Sequence, residues 1–273
     1  MLEVFKAFIS YDFLLRALVV GVLVALCSAL LGVCLVLKRY SMIGDGLSHV
    51  AFGALSVSLA LGLSPLHVAI PVVMIAAFLL LRISENSKIK GDAAIAIISS
   101  SALAIGVITT SISKGMNLDV FHYMFGSILA MSKSDVYLSV ALSAVVLVLF
   151  IVFYNKIFAV TFDERFAKAT GINSGLHNML IALLTAATIV VGMRIMGALL
   201  ISSLIIFPAL TSMRIGKSFR FVIICSSMIS VICFTAGMVI SYSFSIPAGA
   251  SVVVTNLAAF LIFNTIRLLK KRT

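Results

Sequence analysis

The stretch from Phe13 to His49, FLLRALVVGVLVALCSALLGVCLVLKRYSMIGDGLSH, decides the fold. From Phe13 to Leu37 its only charge is Arg16. A helix of that length rises further than the roughly 30 Å hydrocarbon core of a bilayer. The run stops at Lys38-Arg39, a pair of charges that marks a cytoplasmic membrane face. A second apolar run follows, with two polar residues at its start. Asp45 and His49 are four apart, so one helix face presents both. Both side-chain types ligate divalent metals, and both are costly inside a membrane.

Composition extends that reading to the whole chain. Of the 273 residues, 62% are hydrophobic and 11% charged, with a mean hydropathy of +1.25. A soluble domain is about 45–50% apolar and about 25% charged. The expectation is an all-α polytopic membrane protein, a single domain over 1–273. The net charge of +11 is assigned to basic cytoplasmic loops rather than to nucleic-acid binding. Cys27, Cys34, Cys225 and Cys233 all sit in apolar runs without a CxxC and read as small buried hydrophobes. The first dozen residues carry Glu3, Lys6 and Asp12, and no small-x-small cleavage site follows, so the first run reads as a retained span.

About nine spans are expected, near 13–37, 46–63, 65–83, 92–113, 136–158, 177–193, 195–213, 219–243 and 247–267. With the N-terminus outside and the C-terminus cytoplasmic, the inner loops 38–39, 82–90, 156–168, 214–220 and the tail 267–272 carry fifteen of the 20 Lys and Arg residues. That bias fixes the orientation. Arg194, between Gly192 and Gly197, reads as an outer turn.

Two segments do not read as spans. Residues 114–135 hold Asp119 and His122 around a short apolar run, which suits an outer amphipathic or re-entrant segment. Residues 155–177 form the longest polar cytoplasmic stretch. Within it Asp163 to Ala169 reads as a short helix, with Phe162 and Phe166 on one side and Gly171 at the C′ position. A helix so short is marginal alone and implies a partner to pack on.

The chemistry leaves two readings of Asp45. With His49 it makes an oxygen–nitrogen pair suited to Zn²⁺ or Mn²⁺, and two protein ligands plus water allow release. Alternatively Asp45 caps the second span, with Gly44 and Gly46 easing the turn. Asp119 and His122, three apart, are a candidate cation site at the outer mouth or a solvated pair. Frequent Ser and Thr inside spans read as interhelical glue, and the lone His67 and His177 as core or surface residues.

Absent motifs matter as much. Gly216-Lys217-Ser218 resembles the end of a Walker A loop, but Thr211 stands where the first glycine is required. No H-E-x-x-H or G-x-S-x-G occurs, so intramembrane hydrolysis is disfavoured. Few charges lie mid-span, which favours energy supplied from outside the chain over an ion-gradient carrier, the alternative reading.

Several blocks together resemble the permease of bacterial zinc/manganese/iron ABC importers. They are Lys38–His49, with Gly46 where Ala is usual, then Tyr123-Met124-Phe125-Gly126, with Ser127 where an acidic residue often follows. Gly197–Ile201 with Pro208-Ala209, and Pro247–Val253, complete the order. The resemblance implies a type II ABC-importer-like permease in the bacterial cell membrane, working as a homodimer. It implies separate cytoplasmic ATP-binding subunits that hold and hydrolyse ATP, and an extracytoplasmic metal-binding protein. This chain would bind no cofactor; its divalent metal is cargo. Asp45 and His49 match the family's pathway positions, and 155–177 matches its coupling segment. Phe162, Asp163, Glu164, Arg165, Phe166 and Lys168 thereby become candidates for ATPase docking. The last two blocks resemble the zinc branch, so zinc is the expected cargo, with manganese or ferrous iron as alternatives. The pair is expected near the inner end of the second span.

Overall fold

A computed structural model describes residues 12–86, 91–113 and 133–270. Among them the chain forms α1 (Asp12–Leu37), α2 (Ser41–Ala60), α3 (Pro65–Asn86), α4 (Gly91–Ile112) and α5 (Lys133–Val152). After these come α6 (Tyr154–Phe162), α7 (Glu164–Ala169), α8 (Ser174–Met196), α9 (Ala198–Ile215), α10 (Phe219–Phe244) and α11 (Ala248–Lys270). Nine of these, all but α6 and α7, are long and apolar enough to cross a bilayer. The all-helical, nine-span expectation therefore holds among the described residues.

Small residues and hydroxyls set the packing. Ser230 and Ser226 of α10 donate to the carbonyls of Ala25 and Ala29 in α1, at 2.9 and 3.5 Å. The pairing order makes α1 and α10 antiparallel. Added side chains on Gly21 and Gly192 would strike α10 and α9, and one on Gly32 would lie 2.0 Å from the Ile205 carbonyl oxygen of α9. Cys27 lies against the carbonyl of Ser143 on α5. The charge-poor α1 is thus the hub of the bundle, ringed by α5, α8, α9 and α10. Most other span hydroxyls bond four residues back within their own helix, as Thr185 and Thr188 do.

On the other side of the bundle Gly46 and Gly53 of α2 face Ile95 and Ala102 of α4. Both pairs are seven residues apart and rise together, so α2 and α4 run parallel, with α3 crossing back between them. Gly106 of α4 closes against Phe52 in the same seam. Alternate directions are what nine successive crossings require.

Three boundaries differ from the sequence reading. α2 begins at Ser41, with Tyr40 at the N-cap, five residues earlier than expected. The fifth span ends at Val152, and the chain turns at Phe153 into the separate α6. Asn155 and Lys156 are polar and exposed there, so the helix leaves the apolar phase instead of running on to 158. α8 continues past Arg194 to Met196, and the break is Gly197, whose φ of +83° suits glycine alone.

Replacing Gly32 with leucine should destabilise the protein, because the clash is with backbone that cannot swing away. Overpacking costs about 1–3 kcal/mol or more. The melting midpoint in detergent should fall by about 5 °C or more.

Candidate functional site

Asp45 and His49 meet on one face of α2, with His49 Nε2 3.6 Å from Asp45 Oδ2. Their side chains are 40% and 24% exposed, so the pair is shielded but open to an ion. Asp45 lies inside the helix and caps nothing, since Tyr40 holds the N-cap position without a side-chain hydrogen bond. Gly44 and Gly46 are not turn formers either. An added side chain would reach Ile205 of α9 from Gly44 and Ile95 of α4 from Gly46, so these glycines let α2 approach both helices.

That approach brings a third oxygen to the pair. Ser202 Oγ of α9 lies 3.1 Å from Asp45 Oδ1 and 3.1 Å from the Ala198 carbonyl. One hydroxyl proton serves one acceptor at a time, so the carboxylate bond is exchangeable. Nothing in the sequence marked Ser202 out from the many span serines. Ser202→Ala should weaken metal uptake by about 10-fold without unfolding the bundle, as loss of an orienting partner does at metal sites. Uptake measured against metal concentration checks this as a raised half-saturation.

Asp45 lies in the inner part of α2, where the sequence put it, and His49 reaches deeper. Gly32 and Gly44 both abut Ile205, so Gly44 is level with a point five residues before the end of α1. At 1.5 Å per residue this is about 7 Å inside that end, and His49 is about 15 Å inside. The latter is about half the hydrocarbon thickness. α2 starts alongside the end of α1, not beyond it, so counting from Lys38-Arg39 alone understates the depth of His49.

Among the described residues no group of three or more His, Cys, Asp or Glu side chains converges. One copy thus offers a carboxylate, an imidazole and a neighbouring hydroxyl, fewer strong donors than a site that traps a divalent ion. Asp119 and His122, the proposed outer mouth, lie outside the described residues, as does the Tyr123–Ser127 block. His177 is a core residue, 5% exposed, bonded to the Asn173 carbonyl and edge-on to Phe153.

The docking candidates divide by role. Asp163 ends α6 and caps α7, its Oδ1 accepting from the backbone N–H groups of Arg165 and Phe166 at 3.0 Å each. Gly171, at φ +82°, follows the end of α7 as the sequence predicts. Glu164 and Lys168 bond each other at 3.0 Å across one turn. Phe162 and Phe166 are 71% and 61% exposed, and Arg165 is exposed beside them. This leaves two bare rings and a guanidinium on the water-facing side. Burial would raise the Glu164 carboxyl, but bonds from Lys168 and Ser174 and the charge of Lys38 outweigh it and hold the group below the ordinary glutamate range. Its contribution is therefore present above that range and is lost only as pH falls through the lowered value.

Lys38, a stop charge at the cytoplasmic face by sequence, is shielded in the structure. Its side chain is only 9% exposed, because α7 and α8 cover it.

Comparison with known proteins covers nearly the whole chain. The family model described as the ABC 3 transport family matches residues 10–267. The manganese import system permease protein ScaB of Streptococcus gordonii is 32% identical over 253 residues, covering 93% of this chain and 91% of that protein. The high-affinity zinc uptake system membrane protein ZnuB of Haemophilus influenzae is 28% identical over 253 residues, covering 92% and 97%. Among solved structures, PsaBC from Streptococcus pneumoniae in complex with Fab superposes with a TM-score of 0.86 at 33% identity, over 96% of this chain and 94% of that one.

Proposed function

The chain belongs to the ABC 3 transport family, and from that membership we propose that it forms the membrane pathway of an ATP-driven zinc importer of the bacterial plasma membrane. The coarser statement, a metal-ion ABC importer permease, follows from relatives named for manganese and zinc permeases. The observation that carries the pathway is the Asp45–His49 pair. Every other described Asp or Glu lies in the first or last turn of a span or between spans. A carboxylate about 9 Å and an imidazole about 15 Å inside the inner end of α1 are expensive unless an ion uses them.

A homodimer would bring two such pairs together. Two carboxylates and two imidazoles make a four-ligand set, with the charge to neutralise a divalent ion. Such a set binds Zn²⁺ more tightly than Mn²⁺, which is the reason for naming zinc. Manganese is the second reading, favoured by the 32% identity to a manganese permease. An extracytoplasmic metal-binding protein would deliver the ion. Separate ATP-binding subunits would dock on Phe162, Arg165 and Phe166 and do the hydrolysis, since this sequence has no P-loop. Their closure would move α7 and shift the spans between outward and inward access.

Reconstitution of the permease with its ATP-binding subunits and delivery protein tests this. ATP-dependent accumulation of Zn²⁺, undiminished by excess Mn²⁺, is the expected result. Accumulation of Mn²⁺ in preference would establish the second reading. Uptake driven by a proton gradient without ATP would overturn both.

A further inference from the structure

We propose that Lys38 is a positioning residue that ties the docking helix α7 to the metal pair on α2. The proposal rests on the reading that α7 receives the ATP-binding subunit and that Asp45 and His49 handle the metal.

Lys38 is the residue just past α1, and burial of its ammonium demands partners. It has them on two other elements. Nζ donates to Asn178 Oδ1 in the second turn of α8, and Asn178 is itself 3% exposed. Nζ also lies 3.9 Å from Glu164 Oε2, in the first turn of α7. The other oxygen of Glu164 holds Lys168. One buried cation therefore joins the end of α1 to α7 and α8.

Two features make this junction a transmitter and not merely a clasp. First, α7 is weakly held by packing, because of its six residues only Ala167 is buried. A load applied at Phe166 and Arg165 passes from α7 to the bundle through few other contacts. Secondly, the chain between Lys38 and α2 is stiff. The Tyr40 N–H bonds the Leu35 carbonyl at 2.8 Å and the Arg39 N–H bonds that of Val36 at 3.1 Å. With Arg39 at φ +62° this is a Schellman turn, closed by two bonds and without slack. α2 starts at the next residue, and Asp45 is one turn in. Movement of Glu164 thus displaces Lys38, the rigid turn, and then Asp45 against Ser202 of α9. The three partners of this tie lie far apart in sequence, at 38, 164 and 178, so no local pattern announces it.

The test uses the whole transporter in proteoliposomes, with Zn²⁺ uptake and ATP hydrolysis measured together. Lys38→Met should retain hydrolysis while the Zn²⁺ moved per ATP falls at least tenfold. Lys38→Arg, which keeps the charge and donors, should restore part of that ratio. A merely structural role would lower the yield or the melting midpoint and leave the ratio unchanged. Glu164→Gln, at a half-exposed site, should lower the ratio severalfold and decides the matter if Lys38→Met fails to assemble. An unchanged ratio in both variants overturns the tie. Asp45→Ala in the same preparation separates the two ideas. If it transports normally, the metal reading fails; if it is inactive while the Lys38 and Glu164 variants stay coupled, only the tie fails.

Discussion

Asp45→Asn should lower ATP-driven metal uptake by at least about 100-fold, since loss of groups that only orient metal ligands already costs 10–100-fold. The substitution keeps the side chain's shape and an oxygen that can accept from Ser202, but removes the one carboxylate that the described residues place inside a span beyond its end turns. In a low-dielectric span a divalent ion without a counter-charge is strongly disfavoured. His49→Gln should act similarly by removing the imidazole nitrogen. Neither change should unfold the bundle, because both side chains are partly exposed and pack no core. Association with the ATP-binding subunits should survive, as should hydrolysis in the absence of metal. Filter-binding or fluorescent-indicator uptake in proteoliposomes gives the number. Normal transport in both variants would remove the pair from the pathway.

The combined change Phe162→Ala and Phe166→Ala should weaken association with the ATP-binding subunit by about 10³-fold. A central aromatic at an interface contributes about 2 kcal/mol or more on truncation, or about 30-fold each. Their exposure in this chain, 71% and 61%, is what makes them available for docking. Phe162 has ring contact with Phe158, at 5.7 Å, so it is presented at a fixed angle. The permease itself should fold, because neither ring belongs to the buried core and the Asp163 cap on α7 is untouched. Arg165→Glu should add to the loss through charge reversal at the same face. Titration of labelled ATP-binding subunit onto permease in nanodiscs measures the effect. Affinity within threefold of the parent would argue that docking lies elsewhere.

Much of the fold was legible because its causes are local. The run from Phe13 to Leu37 states a span by length alone, and α7 announces itself through Asp163 at one end and Gly171 at the other. Asp45 and His49 share a helix face by spacing. What escaped the sequence was set at long range. Gly44 and Gly46 look like turn residues until Ile205 and Ile95 are seen against them. Ser202 is one hydroxyl among many, and its distinction is a carboxylate 157 positions away. Lys38 reads only as a stop charge at the membrane face, because Glu164 and Asn178 are more than a hundred residues away. The turn at Phe153 follows from where the apolar phase ends, which an apolar run of mixed composition does not mark.

The glycine register between α2 and α4 carries a mechanical consequence. Gly46 against Ile95, Gly53 against Ala102 and Phe52 against Gly106 interlock over the middle turns of the two helices. Neither can slide a residue past the other without driving side chains into backbone. The two must travel as one body, carrying Asp45 and His49 with them. On the opposite flank of α2 Gly44 meets the flexible tip of Ile205 and one exchangeable hydroxyl bond from Ser202 reaches Asp45, contacts that can be remade after a small shift. If access alternates by shear, the α2–α4 pair is the part built to move as a unit, with Asp45 and His49 aboard.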